Sequence, residues 1–428
     1  MMTSGDSRLA PPRARSFDDA LGRRIIAIHR WAVDDGLCGA PAAKVFEGLC
    51  RRLIEAGVPL WRAFAGVQTL HPQWAGYVYT WRRDRAAVEP VQRERGAAYD
   101  RDVQDSPFAA LMRGEIAQPR EGGWPRLRRR LRGPEAQLDF PILEQLAAGG
   151  ATDYFAQIVR FGPAGDPSYG SGIGYSFATD QPAGFSDNDL LLIEAVLPAA
   201  SLAIQSDTAH GIASGLLAAY LGNDAGRRVH AGAVERGSVE SIRAVLWYAD
   251  IRGFTAIADY RPGLAVIELL NEVFEHLVAP LRSRGGEVLK FLGDGVLAIF
   301  PFEETAGAEV CRRALNAATE AMAGLDRLSA TRAAAGKPTA AVDLALHLGE
   351  VLYGNVGAID RLDFTVIGPA VNEVARIEAL CEPLGRRVLV SAEFAAATGI
   401  SPRLTSLGRH ELRGVRELRE VYGLDLGS

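Results

Sequence analysis

Two apolar runs that each lead into an aspartate constrain the fold of this chain most strongly. Residues 244–249 are apolar and precede Asp250, and the stretch 251–255 contains a glycine that turns the chain out of a strand. Asp294 and Gly295 separate the largely apolar runs 288–292 and 296–300, which is a strong hairpin signal. Both carboxylates are therefore predicted at the lip of a β-sheet, the usual construction of a phosphate-handling metal site.

Composition limits the classes of protein that this chain can represent. With 428 residues, of which 48% are hydrophobic, it is long enough for two or three domains that each bury a core. A net charge of -5 and a pI near 5.9 argue against a dedicated nucleic-acid-binding protein, since such proteins carry a basic excess. An anionic substrate must then be bound by local groups.

The cysteines and the apolar segments predict a reduced, cytoplasmic protein. The four cysteines lack CxxC spacing, so neither a zinc site nor a disulfide framework is indicated, and they are predicted to be buried thiols. Residues 1–16 are polar and lack an apolar segment, which indicates a disordered tail and not a secretory signal. The apolar stretch 190–204 is interrupted by Glu194 and Pro198 and is too short to span a bilayer.

The first half of the chain is predicted to be an α+β module. Helical patterns cover about 18–33 and 42–56, and strand-like alternation appears at 76–81, 154–159 and 172–177. A last helix has a complete start signal: Ser186 caps it, Asp189 answers three residues later, and Phe185 packs on Leu190.

Three further patterns in this half allow two interpretations each. The arginine-rich segment 126–132 offers cations for phosphates, but Leu127 and Leu131 favour one stripe of a solvated amphipathic turn or helix. The aromatic residues around His71 and Tyr77 favour a core over a ligand pocket. Residues 207–240 predict a helical connector with several glycines, and a connector able to shift and a plain linker fit equally well.

The second half alternates long helices with strands. Asn372 and Arg376 lie four residues apart, on one face of a helix that opens with Pro369. Helices are predicted at about 263–284, 306–334 and from 369, and strands at 342–348, 354–356, 362–367 and 387–390, with the Asp294 hairpin and a last hairpin at about 407–422.

Three ordered motifs in this half closely resemble the class III adenylate/guanylate cyclase catalytic domain. Residues 249–255 read ADIRGFT, residues 290–294 read KFLGD, and residues 364–376 read FTVIGPAVNEVAR. The resemblance assigns 241–428 to this domain and implies an α+β fold with a ferredoxin-like or palm-type sheet. The end of the first half, near 172–206, is similar to the close of a GAF domain, which suggests a GAF-like regulatory domain over 17–206. An unrelated α+β domain is the alternative.

Cyclising a nucleoside triphosphate requires the ribose 3′ hydroxyl to attack the α-phosphorus while pyrophosphate leaves. Two divalent ions about 3.5–4 Å apart stabilise both oxygens of such an in-line displacement. The resemblance implies that Asp250, Asp294 and the backbone carbonyl of Ile251 bind two Mg²⁺ or Mn²⁺ ions in each active site, and carboxylates suit Mg²⁺.

The resemblance also implies how the triphosphate is bound. Gly253, Phe254 and Thr255 present successive backbone amides at a strand-to-helix turn, a geometry that holds phosphate oxygens. Arg361 lies where the family often places a triphosphate-binding arginine, and a plain surface arginine is the alternative.

Four further residues are implied to select the base and stabilise the transition state. Lys290 donates to adenine N1 and Thr365 accepts from the exocyclic amine, whereas guanine needs an acceptor such as Glu in place of the lysine. Asn372 orients the ribose, and Arg376 stabilises the charge on the α-phosphoryl group, an interaction typically worth roughly 3–4 kcal/mol.

In this family the metal aspartates come from one catalytic domain and the other four groups from its partner, so a head-to-tail homodimer is implied. The sequence thus predicts an adenylate cyclase, a lyase that converts ATP to cyclic AMP and pyrophosphate, regulated by an unknown small ligand or signal at its first domain. A catalytically silent cyclase-like signalling protein is one alternative. A guanylate cyclase is another, disfavoured by Lys290.

Overall fold

The computed structural model describes residues 19–85, 87–96, 103–116, 124–162, 172–260, 263–303, 306–399 and 403–427. The chain divides into two compact units, Met1–Leu216 and Leu217–Ser428. The predicted tail at 1–16 lies outside the described residues.

The first unit is built on an antiparallel sheet with helices on both faces. Its strands are β1 Arg62–Gln68, β2 Trp74–Arg82, β3 Pro90–Glu94, β4 Arg126–Arg130, β5 Asp153–Val159 and β6 Ile173–Thr179, in the order β3-β2-β1-β6-β5-β4. Its helices are α1 Asp19–Leu37, α2 Ala42–Glu55, α3 Pro107–Arg113, α4 Pro141–Ala148 and most of α5 Asp187–Leu221, whose last residues belong to the second unit. The larger core lies between the sheet and α1, α2 and α5.

The arginine-rich segment forms strand β4, so the prediction of an amphipathic turn or helix is wrong. Leu127 is buried, and the flanking arginines are paired with carboxylates instead of being solvated. Asp153 of β5 is fully buried and lies 2.7 Å from Nη2 of Arg128 and 3.3 Å from Nη1 of Arg130. The arginines of β4 therefore supply the cations that compensate the buried Asp153 carboxylate, because an unpaired buried charge is strongly destabilising.

The predicted start of α5 is confirmed. The Ser186 backbone N–H donates to Oδ2 of Asp189 over 2.8 Å, and the Asp189 N–H donates to Oγ of Ser186 over 3.2 Å. Of the helices in the described segments, α5 is the one long and apolar enough to cross a membrane, but half of its apolar window is buried inside the protein. Its buried residues belong to the core of the first unit, as expected for the central helix of a globular unit.

The cysteine prediction is correct for three residues. Cys50, Cys311 and Cys381 are buried free thiols. Cys38, just beyond the end of α1, is exposed, so the prediction of burial is wrong there.

The second unit contains a mixed sheet of eight strands. In chain order its elements are α6 Asn223–His230, β7 Val239–Ile251, α7 Phe254–Tyr260, α8 Gly263–Ser283, β8 Glu287–Leu292, β9 Gly295–Phe302, α9 Gly307–Ala334, β10 Val342–Gly357, β11 Leu362–Ile367, α10 Pro369–Glu378, β12 Val388–Ser391, α11 Ala392–Thr398, β13 Leu404–His410 and β14 Arg419–Leu424. The sheet order is β13-β14-β12-β10-β7-β9-β8, and β11 pairs with β10.

Alternation along β7 divides the second unit into two cores. Val245 and Trp247 face α8 and α9, whereas Leu246 faces α10. Strand β10 runs unbroken through 342–357, so the prediction of separate strands at 342–348 and 354–356 is wrong. Pairing with the whole of β7, from Val342 opposite Ile251 to Gly354 opposite Val239, bridges the two predicted strands.

Candidate functional site

The structure brings the two predicted metal-binding aspartates together at one end of the strands of the second sheet, a place here called the acidic edge. Asp250 is the penultimate residue of β7, and Asp294 lies in the turn between β8 and β9. Burial, then the negative charge of Asp294 and a hydrogen bond with it, raise the pKa of Asp250 to about 6. The Ile251 N–H donates to Oδ1 of Asp250 over 3.1 Å and opposes this shift.

Two glycines make room for this pair. Gly293 has φ +69°, in the left-handed region that favours glycine, and it allows the tight turn that carries Asp294. A Cβ at Gly295 would lie 3.2 Å from Oδ1 of Asp250 and 3.2 Å from the carbonyl oxygen of Ala249. Glycine at this position therefore keeps one side of the Asp250 carboxylate open.

Two acidic residues that the sequence analysis missed lie near the pair. Asp343 is opposite Asp250 in the β7–β10 ladder, and Arg252 neutralises it through contacts of 2.9 Å and 2.5 Å. Glu378, the last residue of α10, has its pKa raised to about 7 by burial and then by the charges of Asp250 and Asp343. Asp343 was detectable as a charged residue within an apolar strand, whereas no local signal marks Glu378.

The chemistry of this edge fits a divalent cation that also binds a substrate. In the described part of the chain, neither Asp250 nor Asp294 has a basic side chain as ion-pair partner, so their repulsion is uncompensated. Among the same residues, no set of three or more His, Cys, Asp or Glu side chains forms a closed metal site. Mg²⁺ is commonly held by one or two carboxylates plus substrate phosphates, which is the donor set that this edge can supply.

The base-selecting residues lie on β8 and β11. Lys290 is exposed, and its ammonium forms an ion pair with Asp363, which the sequence analysis did not single out. Asp363 and Thr365 are two residues apart on one strand and so share a face, while Phe364 is buried on the other. The ion pair thus brings Lys290 to the face that carries Thr365.

Asn372 and Arg376 occupy the outward face of α10. Ala370, Val374 and Ile377 are buried against the sheet, so the opposite face of the helix is directed away from it. Asn372 and Arg376 line an open cleft, in which a Cβ at Gly414 would lie 3.6 Å from Nη2 of Arg376. Neither side chain has a hydrogen bond or ion pair with another described residue.

Within one chain, the metal-binding aspartates and Arg376 lie apart. Glu378 on α10 faces the Asp250 edge, whereas Arg376 does not contribute to the pKa of Asp250. Residues 376 and 378 point in nearly opposite directions because successive helical residues are rotated by about 100°. Helix α10 therefore presents its free guanidinium away from the acidic edge of its own chain.

The predicted triphosphate-binding residues lie in turns. Gly253, with φ +66°, lies in the turn that follows β7, and Phe254 and Thr255 begin α7 directly after the acidic edge. Arg361 is exposed between β10 and β11, and its carbonyl oxygen accepts from the Ala358 N–H over 2.9 Å. The structure thus places the 253–255 turn beside Asp250, with Arg361 in a separate loop.

A cavity in the first unit lies on the face of the sheet that α3 covers. Gly66 of β1 pairs with Gly174 of β6, so the sheet carries no side chains at this point. Phe108 of α3 packs over Gly174. Tyr77 and Arg93 also line this cavity, so Tyr77 is not purely a core residue, whereas Trp81 is buried as predicted.

Comparisons with known proteins concern the second unit. Residues 238–425 match the model of the adenylate and guanylate cyclase catalytic domain. An adenylate cyclase of Anabaena cylindrica is 31% identical over 162 residues, covering 37% of this chain and 31% of that protein. Adenylate cyclase 1 of Rhizobium meliloti (strain 1021) is 30% identical over 178 residues, covering 41% and 26%. The chain thus spans less than a third of these relatives' length.

Solved structures also match this part of the chain. The structure of a bacterial light-regulated adenylyl cyclase is 27% identical, covers 44% of this chain and 92% of that chain, and has a TM-score of 0.38. The crystal structure of the guanylyl cyclase Cya2 is 23% identical, covers 44% and 93%, and has a TM-score of 0.39.

Proposed function

We propose that this protein, whose residues 238–425 form a class III adenylate and guanylate cyclase catalytic domain, converts ATP to 3′,5′-cyclic AMP and pyrophosphate. The observation that carries the proposal is the convergence of Asp250 and Asp294, where burial and mutual repulsion raise the pKa of Asp250 to about 6. Holding two like charges together destabilises a fold, and a divalent cation removes that cost.

Each predicted side chain then has a defined task. Asp250, Asp294 and the Ile251 carbonyl would hold Mg²⁺ or Mn²⁺, which stabilises charge on the attacking and leaving oxygens when bound. The amides of the 253–255 turn and Arg361 hold the triphosphate. The ribose 3′ hydroxyl gives its proton to water, and its oxygen bonds to the α-phosphorus while the bond to pyrophosphate breaks.

The outward face of α10 serves the active site of a second copy. Asn372 orients the ribose, and the Arg376 guanidinium meets the charge that develops on the α-phosphoryl oxygens. Because Arg376 has no anionic partner among the described residues of its own chain, it needs no rearrangement to bind one. A head-to-tail homodimer with two equivalent sites satisfies both groups of residues.

Lys290 and Thr365 favour ATP over GTP. A lysine ammonium donates to adenine N1, and a threonine hydroxyl accepts from the 6-amino group. The Lys290–Asp363 ion pair supports this assignment because it directs the ammonium toward the face of β11 that carries Thr365.

The decisive experiment incubates purified protein with ATP or GTP and with Mg²⁺ or Mn²⁺, and measures cyclic products. We expect cyclic AMP from the wild type and from Asp326→Asn, a control that removes an exposed carboxylate far from the edge in sequence. Asp250→Asn is expected to form none. Equal cyclic AMP from wild type and Asp250→Asn would refute the cyclase, and a preference for GTP would refute the base assignment.

The first unit is proposed as a GAF-like regulatory domain whose cavity binds a small ligand. Support comes from the bare Gly66–Gly174 patch and from Arg93, which offers a cation at the cavity wall. A panel of small aromatic and acidic compounds is screened for a raised melting temperature and for altered cyclic AMP formation. Compounds that raise the melting temperature without changing the rate would contradict a regulatory role.

A further inference from the structure

Four charged or titratable side chains form a closed ring on the sheet face beneath α10. One of them, Glu373, also lines the cleft of Asn372 and Arg376. His347 belongs to β10, Glu373 to α10, Glu393 to α11 and Arg419 to β14. His347 Nε2 lies 3.9 Å from Oε2 of Glu373, and its Nδ1 lies 3.9 Å from Oε2 of Glu393. Arg419 closes the ring at 3.6 Å from Glu373 and 4.0 Å from Glu393.

His347 and Glu373 are the more buried members of this ring, here called the β10 ring, whereas the side chains of Arg419 and Glu393 are 36% and 46% exposed. His347 is 4% exposed, and burial lowers its pKa, so the imidazole is neutral at neutral pH. The Glu373 side chain is only 15% exposed, and Arg419 is the cation that compensates it. Nδ1 of His347 and Nε of Arg419 are buried without a hydrogen-bond partner in the described structure, whereas Nη2 and Nη1 of Arg419 lie 3.6 Å and 4.0 Å from Glu373 and Glu393.

The ring is attached to the helix that carries the proposed transition-state residues. Glu373 follows Asn372 directly and precedes Arg376 by three positions, so a rotation of α10 that moves one moves all three. The apolar contacts of α10, which include Ala370 and Val374, lie on one face of the helix, and the contact of Glu373 with Arg419 adds a polar restraint beside them. The approach to β10 is close, since a Cβ at Gly349 would lie 2.5 Å from the Ala370 Cβ.

We propose that Glu373 is a positioning residue for the cyclase reaction: held by Arg419, it sets the rotation of α10 and thereby the direction of Asn372 and Arg376. This inference rests on the proposed function, because Asn372 and Arg376 have their assigned roles only in a cyclase. A misplacement of about 1 Å at a reacting centre can cost about 100-fold in rate. Removing one tether from a helix that keeps its apolar contacts should cost less, about tenfold.

The kinetic test uses the full-length chain and isosteric variants. Glu373→Gln is expected to lower kcat about tenfold while the KM for ATP and the dimeric state stay as in the wild type, since Asn372 and Arg376 act mainly on the transition state. Arg419→Gln should lower kcat to a similar extent. The kcat of the double variant should be no lower than that of the less active single variant, as expected for two members of one contact. Glu417→Gln is the matched control, because Glu417 also lies 4.0 Å from Arg419 but is 81% exposed and outside α10.

Two kinetic results would overturn the proposal. One is a lowered melting temperature of Glu373→Gln with wild-type kcat, which is the result of a merely structural role. The other is multiplicative losses in the double variant, which would show that Glu373 and Arg419 act independently.

A second measurement needs no enzymatic activity. Amide hydrogen exchange in residues 374–378 should be faster in Glu373→Gln than in the wild type, and unchanged in Glu417→Gln. Unchanged exchange in Glu373→Gln would refute the tether itself. Faster exchange in a protein that forms no cyclic nucleotide from any substrate would refute the proposed function and leave the tether standing.

Discussion

The acidic edge of the sheet and the outward face of α10 differ in how their charges are compensated. At the edge, Asp250 lies beside Asp294, and the pKa of Asp250 rises to about 6. On α10, Arg376 faces an open cleft without an anionic partner among the described residues. One region therefore lacks a cation and the other lacks an anion. A metal–triphosphate complex bound between two copies of the chain would supply both.

Mixing inactive variants gives the largest expected effect. Asp250→Asn removes a metal ligand and Arg376→Ala removes the guanidinium, so each homodimer should be inactive. In a mixed dimer one site contains both substitutions and the other contains neither. With random pairing, about a quarter of the wild-type rate per chain should return, measured as cyclic AMP formation after mixing and re-equilibration.

The matched control mixes Asp250→Asn with Asp294→Asn. Both substitutions fall on the acidic edge, so every site in every dimer carries at least one of them, and no activity should return. No recovery in the first mixture would place the two regions in one chain's own site and refute the shared arrangement. Recovery in the control would show that Asp250 and Asp294 of one site come from different chains, which also contradicts it.

Lys290 can be assigned to one of the two regions by the same approach. Lys290→Glu puts a carboxylate opposite Asp363 and removes a charged hydrogen bond, worth about 1.5–3 kcal/mol, so ATP turnover should fall about 10- to 100-fold. If Lys290 acts together with α10, mixing with Asp250→Asn should restore turnover and mixing with Arg376→Ala should not. The reverse pattern would place Lys290 with the acidic edge.

Features that depend on local sequence were predictable. The hairpin carrying Asp294 follows from Asp-Gly between apolar runs, and α10 follows from Pro369 and its apolar spacing. The start of α5 follows from Ser186 and Asp189, which satisfy each other's backbone amides. Each of these signals lies within a few residues of the structure that it specifies.

Features that depend on pairing between distant segments were not predictable. Strand β4 appears solvated in sequence, and only the buried Asp153 of β5 explains it. Asp363 and Glu378 gain their surroundings from β8 and from the acidic edge, which are far away in sequence. No periodicity within a segment reports on such partners, so one sequence does not reveal them.

Asp250→Asn tests the uncompensated repulsion at the acidic edge without any substrate. Asparagine keeps the acceptor for the Ile251 N–H but carries no charge. We expect the melting temperature in the presence of EDTA at about pH 8 to rise by a few degrees, because the repulsion with Asp294 is lost. Added Mg²⁺ should raise the melting temperature of the wild type more than that of the variant. A lower melting temperature for Asp250→Asn than for the wild type in EDTA would contradict an uncompensated pair.

The smallest expected effect concerns Glu378, the part of α10 that faces the acidic edge. Burial, and then the charges of Asp250 and Asp343, raise its pKa from 4.5 to about 7. Between these values the folded chain binds a proton that the unfolded chain has released, so the free energy of unfolding falls as the pH rises through this window. Glutamine does not ionise. The melting temperature of Glu378→Gln should therefore equal that of the wild type at about pH 4.5 and lie slightly above it at about pH 8. Glu382→Gln, an exposed glutamate one turn beyond α10, should match the wild type at both pH values. Identical melting curves for Glu378→Gln and wild type at both pH values would show that Glu378 does not interact with the charges of the acidic edge. The two faces of α10 would then not differ in their electrostatic surroundings.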